Sequence, residues 1–252
     1  SLFGIDLDLT PYRHIVLYIF SGLTLITVLI SLFAPAVGNF EKDLVAKGLS
    51  QAQTKMKLTR TNAENSQATS FGVNKGVVIL GDSVALRSKD QIESSIDNVA
   101  IDAVVSRNLS TINDLLKDYA DSNALAKDVV IAGGVNEIDD YKGVINKMIK
   151  NLPKGHHIIF VTPYNGSKSG SKAVSLVQLR KYELEMAKKY DFVTVADWYQ
   201  VAKENISIWN GTDGVHFGSD SDSINRGAKL YTNTIKEAIA KANQKPVKGG
   251  KK

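Results

Sequence analysis

From residue 76 onward the chain alternates between two rhythms of apolar and polar positions. Short apolar runs, "VVIL" at 77–80, "VAIDAVV" at 99–105, "DVVIAGG" at 128–134, "HIIFVTP" at 157–163 and "FVTVADW" at 192–198, have the length and β-branched content of buried strands. The stretches between them space their apolar residues at helical intervals, as in "STINDLLKDYADS" after the second run. A final helix is expected from Asp222 to about Ala242, behind the capping cluster "SDSDS". Strands alternating with helices predict an α/β fold, a three-layer α/β/α sandwich around a central, mostly parallel five-stranded sheet. Ligands of such sheets bind beyond the C-terminal ends of the strands. Chemistry is therefore expected in the polar residues that follow each apolar run.

The first quarter of the chain obeys neither rhythm. Residues Ile15 to Val37 carry no charge over 23 positions, enough to cross the hydrocarbon core of a bilayer as a helix. A transmembrane helix is expected over 14–38. The rival is a signal peptide, whose apolar region is shorter and ends in a small-residue cleavage site. Residues 1–13 read like the loop ahead of the last membrane helix of a longer protein. Residues 39–75 form a polar linker, part helical, ending in the tether-like "TRTNAENSQATS". Arg13 alone precedes the span, whereas Lys42, Lys47, Lys55 and Lys57 follow it. That asymmetry favours a cytoplasmic C-terminal part, a vote that upstream helices would override.

Charge and composition narrow the picture further. The formal charge is +5, but the last twelve residues, "KANQKPVKGGKK", hold five lysines and no acid. Without them 26 basic residues balance 26 acidic ones, so no nucleic-acid partner is expected. Residues 243–252 read as a basic disordered tail, which leaves 76–242 as the folded domain. The absence of cysteine excludes disulfides, thiolate metal sites and a cysteine nucleophile.

The ends of the runs carry Gly81-Asp82-Ser83, Ser106-Arg107-Asn108, Gly133-Gly134-Val135-Asn136 and Thr162-Pro163-Tyr164, and later comes "WNGTDGVHFG" with Asp213 and His216. Attack by a serine needs a base, a group that orients the base, and donors for the oxyanion. Of four histidines, His14 borders the apolar span, and His156 and His157 precede the fourth strand, at the wrong end of the sheet. His216 is the base that remains, with Asp213 placed to hold its Nδ1 and Ser83 as nucleophile. Oxyanion donors are the backbone N–H groups of Ser83 and Ser106 and the side-chain amide of Asn136. Asp82 is read as structural, accepting hydrogen bonds from the turn. Tyr164, Trp198, Tyr199 and Trp209 are candidate aromatic stacking surfaces, each also compatible with core packing, and "YNGSKSGSK" at 164–172 is a candidate mobile rim. No metal-ligand spacing is visible, and no cofactor is expected.

These residues resemble the SGNH hydrolase superfamily, also called GDSL-like. Gly81, Asp82 and Ser83 match its Gly-Asp-Ser block; Gly134, Val135 and Asn136 match Gly-x-Asn; Asp213, Gly214, Val215 and His216 match Asp-x-x-His. Ser106 stands where the family usually has an oxyanion glycine. The G-x-S-x-G elbow of α/β-hydrolases is absent. A membrane helix, a polar tether and such a domain are similar, more specifically, to the C-terminal part of bacterial peptidoglycan O-acetyltransferases, through "GDSVAL", "VSRNLS" and "VADWYQ". The resemblance implies a ping-pong transfer of acetyl through Ser83 to the C6 hydroxyl of muramoyl residues, with Val135 among the substrate contacts. It also implies an acetyl donor delivered by an upstream membrane acyltransferase module, and a place in the bacterial cell membrane with the catalytic domain extracellular. An acetylesterase acting on wall glycans, and a non-catalytic wall-binding module, are the alternatives.

Overall fold

The computed structural model describes residues 71–136, 140–167 and 170–250, with Thr24 alone before them. The expected membrane span and most of the linker lie outside the described residues. Among the described residues no helix is long and apolar enough to cross a membrane.

Five strands form one parallel sheet: β1 (Val77–Gly81), β2 (Val99–Ala103), β3 (Asp128–Ala132), β4 (His157–Val161) and β5 (Val193–Ala196), in the order β2-β1-β3-β4-β5. Each is four or five residues long, so the apolar runs read from sequence extend up to two residues past the ladder at their C-terminal ends. Those extra residues are the ones that leave the sheet and build loops.

The helices are α1 (Ser83–Arg87), α2 (Lys89–Ser95), α3 (Leu109–Asp121), α4 (Tyr141–Asn151), α5 (Gly170–Lys189), α6 (Trp198–Glu204) and α7 (Ser221–Ala242), with a 3₁₀ turn at Ile206–Trp209. Alternate strand residues Val78, Leu80, Val129, Ile131, Ile158 and Phe160 share one core with Leu109, Ile112, Leu116, Val144, Ile145 and Leu179 of α3, α4 and α5. The intervening strand residues face the opposite layer, as the two-residue period of a strand requires, and there α7 packs on β4 and β5 while α2 packs on β2. Apolar burial on both faces explains why these strands read as continuous apolar runs. The capping cluster places Asp220 at the N-cap of α7, where its side chain accepts from the Ser223 N–H at 2.9 Å and the Ser223 hydroxyl sits 3.2 Å from the Asp220 N–H.

The strand order reverses at β1. Its chain successor β2 lies on one side and β3 on the other, which opens a crevice between the carboxyl ends of β1 and β3. Ser83 follows the first of these strands and Asn136 the second.

The tail departs from its expected disorder over residues 243–250. Lys245 donates from Nζ to the Val193 carbonyl at 2.9 Å. Lys248 donates to the carbonyls of Ile149, Lys150 and Leu152 at 2.8, 2.8 and 2.5 Å. These last three are carbonyls at the C-terminal end of α4, which helix geometry leaves without intrahelical partners. What composition reads as a solvated basic tail is therefore partly a C-terminal cap. His156 and His157 lie at this same end of the sheet, with His157 Nδ1 2.7 Å from the Asp128 carboxylate and His156 Nδ1 2.7 Å from the Ala126 carbonyl.

Candidate active site

Asp82 leaves β1 in an extended conformation and caps α1, its carboxylate accepting from the Val84 N–H at 2.9 Å. The role read from sequence, a structural carboxylate in the turn, is the one it occupies. Burial pushes its carboxyl up to about 7, against the Val84 and Ala85 N–H groups and the Arg107 charge, which act in the other direction. Ser83 is then the first residue of α1, with 5% of its surface exposed.

Ser83 Oγ lies 2.7 Å from His216 Nε2, across 133 residues of chain. His216 Nδ1 lies 2.7 Å from Asp213 Oδ2. With the imidazole neutral and its proton on Nδ1, that nitrogen donates to Asp213, and Nε2 accepts from the Ser83 hydroxyl. The other oxygen, Asp213 Oδ1, accepts from the backbone N–H groups of Val215 at 2.9 Å and His216 at 2.7 Å. Partial burial pushes the Asp213 carboxyl up, but the His216 backbone N–H, the His216 imidazole and the Val215 N–H outweigh it and hold it below its ordinary value. Asp213 is thus an ionised orienting group for His216.

Gly214 makes this loop possible. Its φ is +80°, and a Cβ there would meet the Ser167 nitrogen at 2.6 Å. The Gly214 carbonyl accepts from the Gly166 N–H at 2.8 Å, so the loop after β4 is tied directly to the Asp-x-x-His loop. Of the candidate rim at 164–172, residues 164–167 are held in this way, residues 168 and 169 lie outside the described residues, and residues 170–172 begin α5.

On the oxyanion side, Ser106 has φ +59°, the left-handed region that glycine occupies without cost. The Asn136 amide donates from Nδ2 to the Arg107 carbonyl at 3.2 Å, so the loops after β2 and β3 meet. Val135 is half-buried beside it. Val135, Tyr164, Trp198 and Asp82 line a cavity of about 10 Å³ in this crevice, room for roughly one water molecule.

The aromatic candidates separate. Tyr164 stacks near Trp209, with ring centroids 4.8 Å apart, and meets Tyr199 edge-on at 5.5 Å. All three are half-buried. Trp198 is 2% exposed and packs against Phe217 and Tyr231. The small cavity it helps to line has room for about one water, too little for a sugar, which corrects its reading as a stacking surface: directly after β5, an apolar ring at this position points into the layer under α7.

Sequence reading missed the arginines that brace the site. Arg87 and Arg107 reach main-chain carbonyls beside the triad, and Arg180 makes a two-pronged pair with Asp197 at 2.8 and 2.7 Å. For Arg87 the available signal is an arginine directly after the apolar "VAL" that follows Ser83. Among the described residues no three His, Asp or Glu side chains gather as a metal ion would require.

No family model matches the chain. Among solved structures, the C-terminal catalytic domain of peptidoglycan O-acetyltransferase A (OatA) of Streptococcus pneumoniae, determined with a methylsulfonyl adduct, is 44% identical, with a TM-score of 0.68. The match covers 70% of this chain and 98% of that domain. The chain belongs to the family of peptidoglycan O-acetyltransferase catalytic domains. YrhL of Bacillus subtilis, provisionally named a peptidoglycan O-acetyltransferase, is 28% identical over 165 residues, 66% of this chain. The chain spans only about a quarter of that relative, 24%. A lipolytic G-D-S-L protein of Veillonella parvula (15% identical, TM-score 0.52, covering 66% of this chain and 98% of that one) shares the fold. So does a GDSL-like lipase of Bacteroides thetaiotaomicron (16%, 0.52, covering 75% and 98%).

Proposed function

We propose that the chain is the catalytic part of an enzyme that transfers acetyl groups to the C6 hydroxyl of muramoyl residues in peptidoglycan. The observation that carries this reading is the continuous Ser83–His216–Asp213 chain of 2.7 Å contacts at the carboxyl edge of the sheet.

In the first half-reaction His216 Nε2 takes the Ser83 proton while Oγ attacks the acetyl carbonyl. The tetrahedral oxyanion is met by the N–H groups of Ser83 and Ser106 and by the Asn136 amide. One such donor is worth about 3 kcal/mol of barrier. Collapse breaks the bond to the donor oxygen, which leaves with the proton from His216, and acetyl-Ser83 remains. In the second half-reaction a sugar hydroxyl gives its proton to His216 and attacks the acetyl carbon. Collapse frees the acetylated sugar and returns the proton to Ser83 Oγ. Asp213 holds the imidazole in the required tautomer throughout.

Tyr164, Tyr199 and Trp209 provide the aromatic surface on which a glycan acceptor rests, and Val135 lies at its inner edge. A membrane acyltransferase module upstream delivers the acetyl group, and the catalytic domain works outside the membrane, anchored through residues 14–38.

One observation favours hydrolysis as a second reading. The Asp213 side chain is 56% exposed and that of His216 is 22% exposed, so water has access to the base. The purified chain, given an activated acetyl ester with and without a chitooligosaccharide or muropeptide, separates the two by mass spectrometry. Acetylated sugar that disappears in Ser83→Ala establishes the transferase. Free acetate alone, at every acceptor concentration, overturns it in favour of an esterase.

A further inference from the structure

Ser106 holds a left-handed backbone, φ +59°, which a residue with a side chain keeps only when its surroundings impose it. The neighbouring residue imposes it. Arg107 Nη1 donates to the Asp102 carbonyl at 2.6 Å and to the Gly81 carbonyl at 3.2 Å. Its Nη2 donates to Asp102 Oδ1 at 2.9 Å, and the Tyr119 hydroxyl donates to the other Asp102 oxygen at 2.9 Å. The Arg107 and Asp102 side chains are only 9% and 8% exposed. Gly81 is the last residue of β1, two positions before Ser83. The Arg107 main-chain carbonyl accepts from Asn136 Nδ2 at 3.2 Å. An amide turned the other way would set its oxygen against that carbonyl, so the contact selects the orientation that offers N–H groups.

One residue therefore joins the end of the nucleophile strand, the loop bearing the Ser106 N–H and the amide of Asn136. We infer that Arg107 is a positioning residue that sets the oxyanion hole, its planar fork fixing the spacing of both donor loops from Ser83. The inference rests on the acyl-enzyme reading of the site. It also accounts for serine in the position where glycine is usual: the backbone is held in place by the adjacent guanidinium.

Lysine keeps the charge beside Asp102 but cannot span two carbonyls and a carboxylate at once. Arg107→Lys is the first variant. Asp102→Asn combined with Arg107→Gln removes both charges together, in case the single change leaves Asp102 buried without its partner. Steady-state turnover of an activated acetyl ester is measured with the Ki of a boronic acid, whose adduct on Ser83 places a hydroxyl where the oxyanion forms. We expect kcat to fall about 100-fold with KM within roughly two-fold, and the boronic acid Ki to rise by a similar factor. A purely structural role lowers the melting temperature but leaves kcat of the folded fraction and the Ki unchanged; that result in either variant overturns the inference alone. If wild-type Ser83 takes up no acetyl group at all, shown by intact mass, the acyl-enzyme reading falls and this inference falls with it.

Discussion

Arg87 donates from Nε to the Phe217 carbonyl at 2.7 Å, and its Nη2 donates to the Gly218 carbonyl at 2.7 Å. Arg87 lies four residues after Ser83 on α1, and Phe217 directly follows His216. One turn of helix thus presents Ser83 and also grips the loop that carries His216. Arg87 is buried, so removing it leaves two buried carbonyls without these donors, at a cost of about 1–3 kcal/mol each. Arg87→Ala is expected to lower the melting temperature and to reduce kcat more than it raises KM, because a displaced His216 weakens proton transfer rather than binding. Arg87→Lys, which reaches one carbonyl, should recover part of kcat. Full turnover by folded Arg87→Ala would remove the loop-holding role.

The triad variants should be graded. Ser83→Ala abolishes acetyl transfer and His216→Ala nearly does so, while Asp213→Asn retains a measurable rate because it disturbs orientation without removing the base. Asp213 adds a pH signature. Its folded-state pKa lies below the ordinary 3.8, so its stabilising contribution is complete above that value and is lost as pH falls through the lower folded one. In thermal melts, wild type should lose stability relative to Asp213→Asn only in strongly acidic buffer. An advantage lost already near pH 6 would contradict this.

The part proposed for Ser106 is that of a backbone N–H donor, which makes its side chain dispensable. Ser106→Gly should keep kcat within a few-fold, because glycine adopts φ +59° freely. Ser106→Pro removes the donor and forbids that φ, and should lower kcat at least about 100-fold. Equal rates in the two variants, measured with the same acetyl ester, would exclude Ser106 from the oxyanion hole.

Glu183 on α5 is 1% exposed, and its Oε2 has no hydrogen-bond partner. Burial, then the nearby Asp197 charge, raises its carboxyl well above the ordinary 4.5. The stability associated with the neutral acid is fully present below that value and declines as pH rises toward the folded-state pKa. Glu183→Gln should therefore melt like wild type at pH 4 and above it at pH 8, by roughly 2–4 °C per kcal/mol gained. Coincident melting curves at both pH values would show that the carboxyl is ionised in the fold without penalty.

Lys248 offers a control remote from the chemistry. Lys248→Ala strips its donor from three carbonyls at the end of α4 and should lower stability by about 1–3 kcal/mol, with kcat unchanged. A fall in kcat at a temperature where the variant is fully folded would show that the amino end of the sheet is coupled to the active site.

The sequence by itself determined the five strands, the layered α/β class and the choice of Ser83, His216 and Asp213, which the structure brings into one hydrogen-bonded chain. Each of these is written locally. A strand buried on both faces is a continuous apolar run, and histidine, with four in the chain, is scarce enough to single out a base, while Ser83 and Asp213 stand out by their place at a strand end and beside that histidine. His216 was legible because His14 borders the apolar span and His156 and His157 precede the fourth strand, at the wrong end of a sheet whose direction the alternation of strands and helices already implied.

Only the tertiary structure decided what holds these residues to within hydrogen-bond distance. Trp198 and Tyr164 have similar amphipathic chemistry in sequence, yet one is buried under α7 and the other is half-buried beside Tyr199 and Trp209. Nothing in the sequence says what Arg87, Arg107 or Lys248 would reach, but each donates to main-chain carbonyls from 5 to 131 residues away. Main-chain carbonyls are present at every position and carry no sequence signal. Which of them a long cationic side chain reaches is fixed by how strands and loops pack: Arg87 and Arg107 tie the loops around Ser83 and His216, while Lys248 closes the far end of α4.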